Sequence, residues 1–317
     1  MNIGDESYVL SLPMLFPQHK TTFTNTLDDT LVKDSDVIVL GGGNVLGGYF
    51  LDSLQKYKGK PIYAISVGVF DWKITADKLS LFKRIVVRDM NSYEFIKALG
   101  VKVEVAPDIA FLLNSNAENG KQILAKYFKQ EGTEVLDKKV VVVINAYLPR
   151  NGQNQLGRDD FHFQTFSFDF AGALDKIKAN FIFLPFGQKH PWDDRVSNGW
   201  VAMKCEYHHK NFVCYDRLSP QDALDVIAAS NVTISTRLHS SIFSLMAGVP
   251  FVDIVHNDKN KFFLKGISVG EQLDYWNFGS VQFVETINKL LSADSTAYRM
   301  EAEKLKRSIL SLPIITL

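Results

Sequence analysis

The sequence predicts an α/β fold of two Rossmann-like domains that face each other across a cleft, with a C-terminal helix closing across them. Two observations carry this. Short β-rich apolar runs alternate with amphipathic helical stretches, the pattern of parallel sheets covered by helices on both faces. The chain has 317 residues, 46% of them hydrophobic, a size at which one core usually splits into two.

Taken in order, the runs Val37–Leu40, Ile62–Val67 and Ile85–Val87 read as the strands of a first domain, residues 1–130. The stretch Asn114–Lys139 is rich in Asn, Glu, Gln, Gly and Lys, holds one helical segment near Ile123–Phe128, and sets the boundary at about residue 130. A second domain, 131–285, contains the runs Val140–Ile144, Phe181–Leu184, Phe212–Tyr215, Val232–Ser235 and Pro250–Val255. Ser219-Pro220 supplies an N-cap and an N1 proline for the helix Ala223–Ala229. The helical tail, 286–317, has Asp294 or Ser295 as its cap and runs to Leu310. The aromatic stretch Phe161–Phe170 reads as an edge strand or packed loop, and Tyr147–His162 as a long polar loop.

Lys+Arg and Asp+Glu both total 35, so no global field draws the protein to nucleic acid or an anionic membrane. The aromatic stretch has no basic surround, which also argues against nucleic acid. Asp5 and Glu6 stand where a signal peptide needs a basic start, and the apolar runs are far shorter than the roughly 20 residues of a transmembrane helix. Two cysteines fit a reducing compartment, so a cytoplasmic protein is expected, and an oligomer is compatible with this composition. Cys205, His208, His209 and Cys214 could be read as a zinc set. Adjacent histidines rarely point at one ion and Cys214 lies in an apolar run, so a buried thiol is expected and no metal.

The chemistry concentrates at strand ends. Gly41-Gly42-Gly43-Asn44 follows the first strand and precedes the helical stretch Tyr49–Leu54. It reads either as a cradle whose amides meet an anion or as a tight strand-to-helix turn that needs glycine only for its backbone. Ser235-Thr236-Arg237-Leu238-His239-Ser240-Ser241 lies between the strand Val232–Ser235 and a helix over Ser241–Ala247. Ligands of open α/β sheets collect at carboxyl ends of strands, arginine forks a carboxylate or phosphate, and histidine exchanges a proton near neutrality. The alternative is a solvated Arg237 and a His239 that caps the helix. His190-Pro191-Trp192-Asp193-Asp194 follows another strand, where the carboxylates could orient sugar hydroxyls or serve as base, or form the acidic first turn of a helix. Arg88 and Lys259 are further cations at strand ends.

These blocks together resemble the polysaccharide pyruvyltransferase family. Asn2-Ile3-Gly4-Asp5-Glu6 looks like its N-x-G-D-E loop, and Asp36–Leu46 like its glycine-rich strand-turn. Val86–Gly100 with Pro107-Asp108 looks like its R-D-x-x-S and P-D elements. Ser235–Phe251 looks like its most specific block, and Lys259 falls where the family carries a lysine. The resemblance implies a GT-B-like fold, phosphoenolpyruvate as co-substrate with no cofactor, and a sugar or glycan acceptor that gains a pyruvate ketal. It assigns Arg237 and His239 to the donor site and Asp193 and Asp194 to catalysis. Asn2, Asp5, Gly42, Gly43, Asn44, Arg88, His190, Ser240 and Lys259 are expected to bind substrate. Members carry a strand before the N-x-G-D-E loop; Met1 abuts it here, so that strand is expected to be missing or replaced. A nucleotide-sugar glycosyltransferase and a non-catalytic glycan- or phosphate-binding protein are the rival readings.

Overall fold

The computed structural model describes residues 2–26, 28–130, 139–144, 158–188, 193–206, 211–256 and 258–312. Helices α1 (Ile3–Leu15) and α2 (Asp29–Lys33) precede strand β1 (Ile38–Leu46) and helix α3 (Gly48–Leu54). Then come β2 (Ile62–Val69), α4 (Ala76–Leu79), β3 (Arg84–Val87), α5 (Met90–Ala98) and β4 (Glu104–Val105). After α6 (Ala117–Gln130) the chain continues through β5 (Lys139–Ile144), α7 (Arg158–Leu174), β6 (Ala179–Phe183), α8 (Asp194–Ala202) and β7 (Asn211–Val213). It ends with α9 (Pro220–Ala228), β8 (Val232–Ser235), α10 (Leu238–Met246), β9 (Phe251–Val255), α11 (Asp258–Lys265), β10 (Glu271–Asp274), α12 (Ser280–Leu291) and α13 (Thr296–Leu310).

Two compact units result. The first is Asp5–Leu112 with the residues from Leu305 onward; the second is the first four residues with Leu113–Lys304. The division falls at Leu113, ahead of the expected 130, because α6 packs against α9 of the second unit and its start is tied there by Asp225, which accepts from Asn116 N and Asn119 Nδ2.

The first unit holds a parallel sheet in the order β1-β2-β3-β4. Leu46, Leu51, Ile62, Val67, Ile85 and Val87 form its core. The second holds a parallel sheet in the order β10-β9-β8-β5-β6-β7. Its core is built on Val141, Val143, Phe181, Phe183, Ile234 and Ile254, with α7 and α12 covering one face through Phe166, Phe170, Phe283 and Ile287. From β5 the chain builds outward to β6 and β7 on one side, then to β8, β9 and β10 on the other. The strand order therefore reverses between β5 and β8, the place where open α/β sheets bind ligands.

Several elements differ from the expectation. Gly41–Asn44 is no turn: β1 runs on to Leu46 and stays paired with β2, and Gly42 and Gly43 continue it at φ of 75° and 114°. The expected loop is absent: Asn2 forms a β-bridge, and residues 3–6 are the first turn of α1. Phe161–Phe170 is helical rather than an edge strand, since Phe163, Phe166 and Phe170 are buried at helical spacing while Phe168 faces solvent. Arg158–His162 belongs to the same helix, so the polar loop ends earlier than expected; its residues 147–157 lie outside the described ones. The short strands β4 and β10 carry too little apolar patterning to announce themselves. No described helix is long and apolar enough to cross a membrane.

Candidate functional site

The switch point delivers Arg237. Its backbone is extended (φ −112°, ψ 134°) as the N-cap of α10, and the cap makes no side-chain hydrogen bond to the helix amides. The guanidinium instead turns to Asp194: Nε donates to Oδ2 at 2.8 Å and Nη2 to Oδ1 at 2.5 Å, so this fork leaves Nη1 for another partner. Asp194 is fully buried as the first residue of α8, and its Oδ2 also accepts from Phe186 N and Gly187 N at 2.9 and 2.7 Å. Burial pushes its carboxyl upward, while Arg237 and the two amides pull it back. Asp194 accepts four hydrogen bonds in all, two of them from Arg237. Arg237 is thus fixed on a buried anchor rather than solvated.

His239 sits in the first turn of α10, largely buried, and is not the residue that caps the helix. Against it lies the amino end of the chain. Asn2 bridges Gly187 in antiparallel fashion and Ile3 N donates to Phe186 O at 2.8 Å. Gly4 follows, its amide bonded to Asn2 Oδ1, and a Cβ at Gly4 would stand 2.1 Å from His239 Cγ. Only glycine lets the backbone approach the imidazole so closely. Phe186 and Gly187 thus bond both the carboxylate that fixes Arg237 and the segment that walls His239.

A second buried carboxylate braces the neighbouring elements. Asp253 on β9 accepts from Ser241 Oγ on α10 and from Asn260 Nδ2 on α11, each at 2.8 Å. Burial raises its pKa to about 7, against the pull of the Asn260 and Ser241 hydrogen bonds. Lys259 precedes Asn260 and is exposed. His256, at the end of β9, is held down to about 4 by burial and then by the charge of Arg237, so its imidazole is neutral. Ser240 is buried, and its hydroxyl meets Arg237 O and Ser235 Oγ, bracing the turn.

In the first unit the glycine-rich strand, the R-D pair and the P-D pair converge. Arg88 Nη1 donates to Asp108 Oδ2 at 2.7 Å and Nη2 to Asn44 Oδ1 at 3.1 Å, with the Arg88 and Asp108 side chains 8% and 9% exposed. Asn44 Nδ2 reaches Val69 O. Asp89 caps α5 through Ser92 N. Gly41 is dictated by Tyr8, whose ring lies 1.9 Å from where a Cβ would be, and burial followed by the charge of Asp108 pushes the Tyr8 phenol far above its ordinary range. Asp5 is exposed, its carboxylate facing Gly43.

The sequence matches the family profile described as polysaccharide pyruvyl transferase over residues 3–258. The chain belongs to that family. No curated protein sequence matches it. Among solved structures it is similar to UDP-GlcNAc 2-epimerase of Methanocaldococcus jannaschii (TM-score 0.58, 11% identity, covering 96% of this chain and 80% of that one). It is equally similar to Anabaena HepE in complex with UDP-glucose (TM-score 0.58, 12% identity, 97% and 94%). The Neisseria meningitidis UDP-GlcNAc 2-epimerase gives a TM-score of 0.52 at 10% identity, covering 95% and 83%. These likenesses establish the GT-B-like fold of two Rossmann-like domains, and the family establishes a transferase that acts on polysaccharide.

For this family member the structure divides the expected site residues. Asn2, Arg237, His239 and Asp194 lie together in the second unit, the last as anchor of the arginine. Asp193 is the N-cap of α8 and is paired with Arg195, which lowers its pKa. Asp5, Gly42, Gly43, Asn44 and Arg88 lie in the first unit. His190 lies outside the described residues, as do His208 and His209 of the supposed zinc set; Cys205 and Cys214 are buried thiols. Among the described residues no group of three His, Cys, Asp or Glu side chains is placed to hold a metal ion. Asp253, Gly4 as the wall of His239, and His256 beside Arg237 were not assigned from sequence. Burial was the signal for the first, since an aspartate inside the apolar strand Phe251–Val255 needs a partner.

Proposed function

We propose that the protein transfers the pyruvyl group of phosphoenolpyruvate to two hydroxyls of a sugar in its polysaccharide substrate, forming a ketal. The observation that carries this reading is Arg237, fixed on buried Asp194 at the β5/β8 switch point with Nη1 to spare and His239 two residues on. Arg237 Nη1 and the uncapped start of α10 bind the donor's carboxylate or phosphate. His239 delivers a proton to C3, C2 becomes electrophilic, and the first sugar oxygen adds. The second oxygen closes the ketal as phosphate leaves, and the two hydroxyl protons pass to the enzyme base and to phosphate. Asp194 acts as a positioning residue and Lys259 as an auxiliary cation.

The test is phosphate release from phosphoenolpyruvate with galactose-, mannose- and N-acetylmannosamine-containing acceptors. Release with at least one acceptor is expected, with phosphoenolpyruvate alone raising the melting temperature. HepE is described in complex with UDP-glucose; stabilisation by nucleotide-sugars only would replace the pyruvyl reading with glycosyl transfer, and binding without turnover would make the protein a lectin-like descendant.

A further inference from the structure

The first unit exposes an aromatic tip that the donor chemistry leaves unused. Tyr49 and Phe70 are 79% and 71% exposed, more than any other described aromatic side chain, and Trp72 and Met90 are each 52% exposed. They follow the carboxyl ends of three adjacent strands. Leu46 of β1 pairs with Val69 of β2, and Val67 of β2 with Val87 of β3, so the residues just beyond these strands emerge side by side. Exposed aromatic side chains cost free energy in water, and their grouping at the ligand-binding edge of a parallel sheet calls for an occupant.

The tip is also stiff. Phe70 N and Asp71 N both donate to Leu46 O, and Lys73 N closes onto Asp71 Oδ1 at 3.0 Å. Val69 N donates to Ser92 Oγ, which in turn donates to Asp89 Oδ2, tying the end of β2 to the start of α5. Phe70 lies over Gly47, where a Cβ would come within 3.0 Å of its ring, and the Trp72 ring is steadied edge-on by Phe95 at 5.1 Å. The second oxygen of Asp71 faces Gly48, whose missing side chain keeps the space before it clear.

Exposed rings that lose little entropy on binding, with the Asp71 carboxylate in the same loop and Asp52 beside it already paired with Lys78, suit a pyranose: its C–H face stacks on a ring and its hydroxyls donate to a carboxylate. We propose that Tyr49, Phe70, Asp71 and Trp72 form a binding surface for a sugar ring of the polysaccharide acceptor. The proposal rests on the family's polysaccharide substrate and is independent of the donor assignment.

The experiment titrates the full chain and its Phe70→Ala, Tyr49→Ala and Phe70→Tyr variants with galactose-, mannose- and N-acetylmannosamine-containing oligosaccharides in a calorimeter, with the sedimentation of each protein measured beside it. Both alanine variants should lose on the order of tenfold in oligosaccharide affinity while Phe70→Tyr retains it, and phosphoenolpyruvate should stabilise all four proteins equally. Equal affinities, no binding of any oligosaccharide by the parent chain, or a dimer that Phe70→Ala splits into monomers overturns the proposal. Loss of sugar binding in a protein that ignores phosphoenolpyruvate would leave this surface standing and remove the donor reading alone.

Discussion

Arg88 and Arg237 stand at corresponding places in the two units, each just after a parallel strand and each facing an aspartate, yet they are used differently. Arg88 is enclosed by Asp108 and Asn44, with 8% of its side chain exposed. Arg237 is 21% exposed, and its fork to Asp194 leaves one nitrogen outside the pair. The anchor of Arg237 leaves a donor over, whereas Arg88 ties together the motifs around it.

The comparison breaks most visibly through stability. Arg88→Ala strands a buried Asp108, so unfolding by denaturant should show a loss of about 3–5 kcal/mol; an unchanged midpoint would return Arg88 to the role of anion contact. Arg237→Ala should cut phosphate release by about 10²–10³-fold. It also strands Asp194, and adding Asp194→Asn should restore the melting temperature without restoring turnover.

Asp253 sharpens the contrast, since it is a buried carboxylate held by Ser241 and Asn260 with no arginine among its described partners. Its pKa is raised from 3.8 to about 7, so between those values the folded protein holds a proton that the unfolded chain releases. Stability therefore falls as pH rises from about 4 to about 7 and levels off above, a change of roughly 4 kcal/mol. Asp253→Asn should flatten that slope in denaturation curves taken across the window. The smallest effect is expected of Gly4→Ala, whose added methyl displaces the His239 ring: turnover about tenfold lower, with secondary structure unchanged by circular dichroism.

Much of the fold was legible because buried parallel strands are written as continuous apolar runs. Val140–Ile144 and Val232–Ser235 lie where the sequence placed them, give or take a residue at the first. What escaped was conformation that a third partner decides. Three consecutive glycines suggest a turn, but pairing with β2 carries β1 through them. The alternating phenylalanines of α7 mimic a strand until the core selects Phe163, Phe166 and Phe170. Arg237 and His239 stand just after β8 at the start of α10, the placement their sequence position implied. The pairing of Arg237 with Asp194 was not legible, because no local pattern couples residues 43 positions apart.

The antiparallel bridge between Asn2 and Gly187, with Ile3 N on Phe186 O, has a practical consequence. A preparation clipped by a protease just before Asp5 would keep both sheets and their circular dichroism, yet lose the buried Ile3 side chain and the backbone that flanks the imidazole. Batch-to-batch variation in activity would then be diagnosed by intact mass, not by spectroscopy.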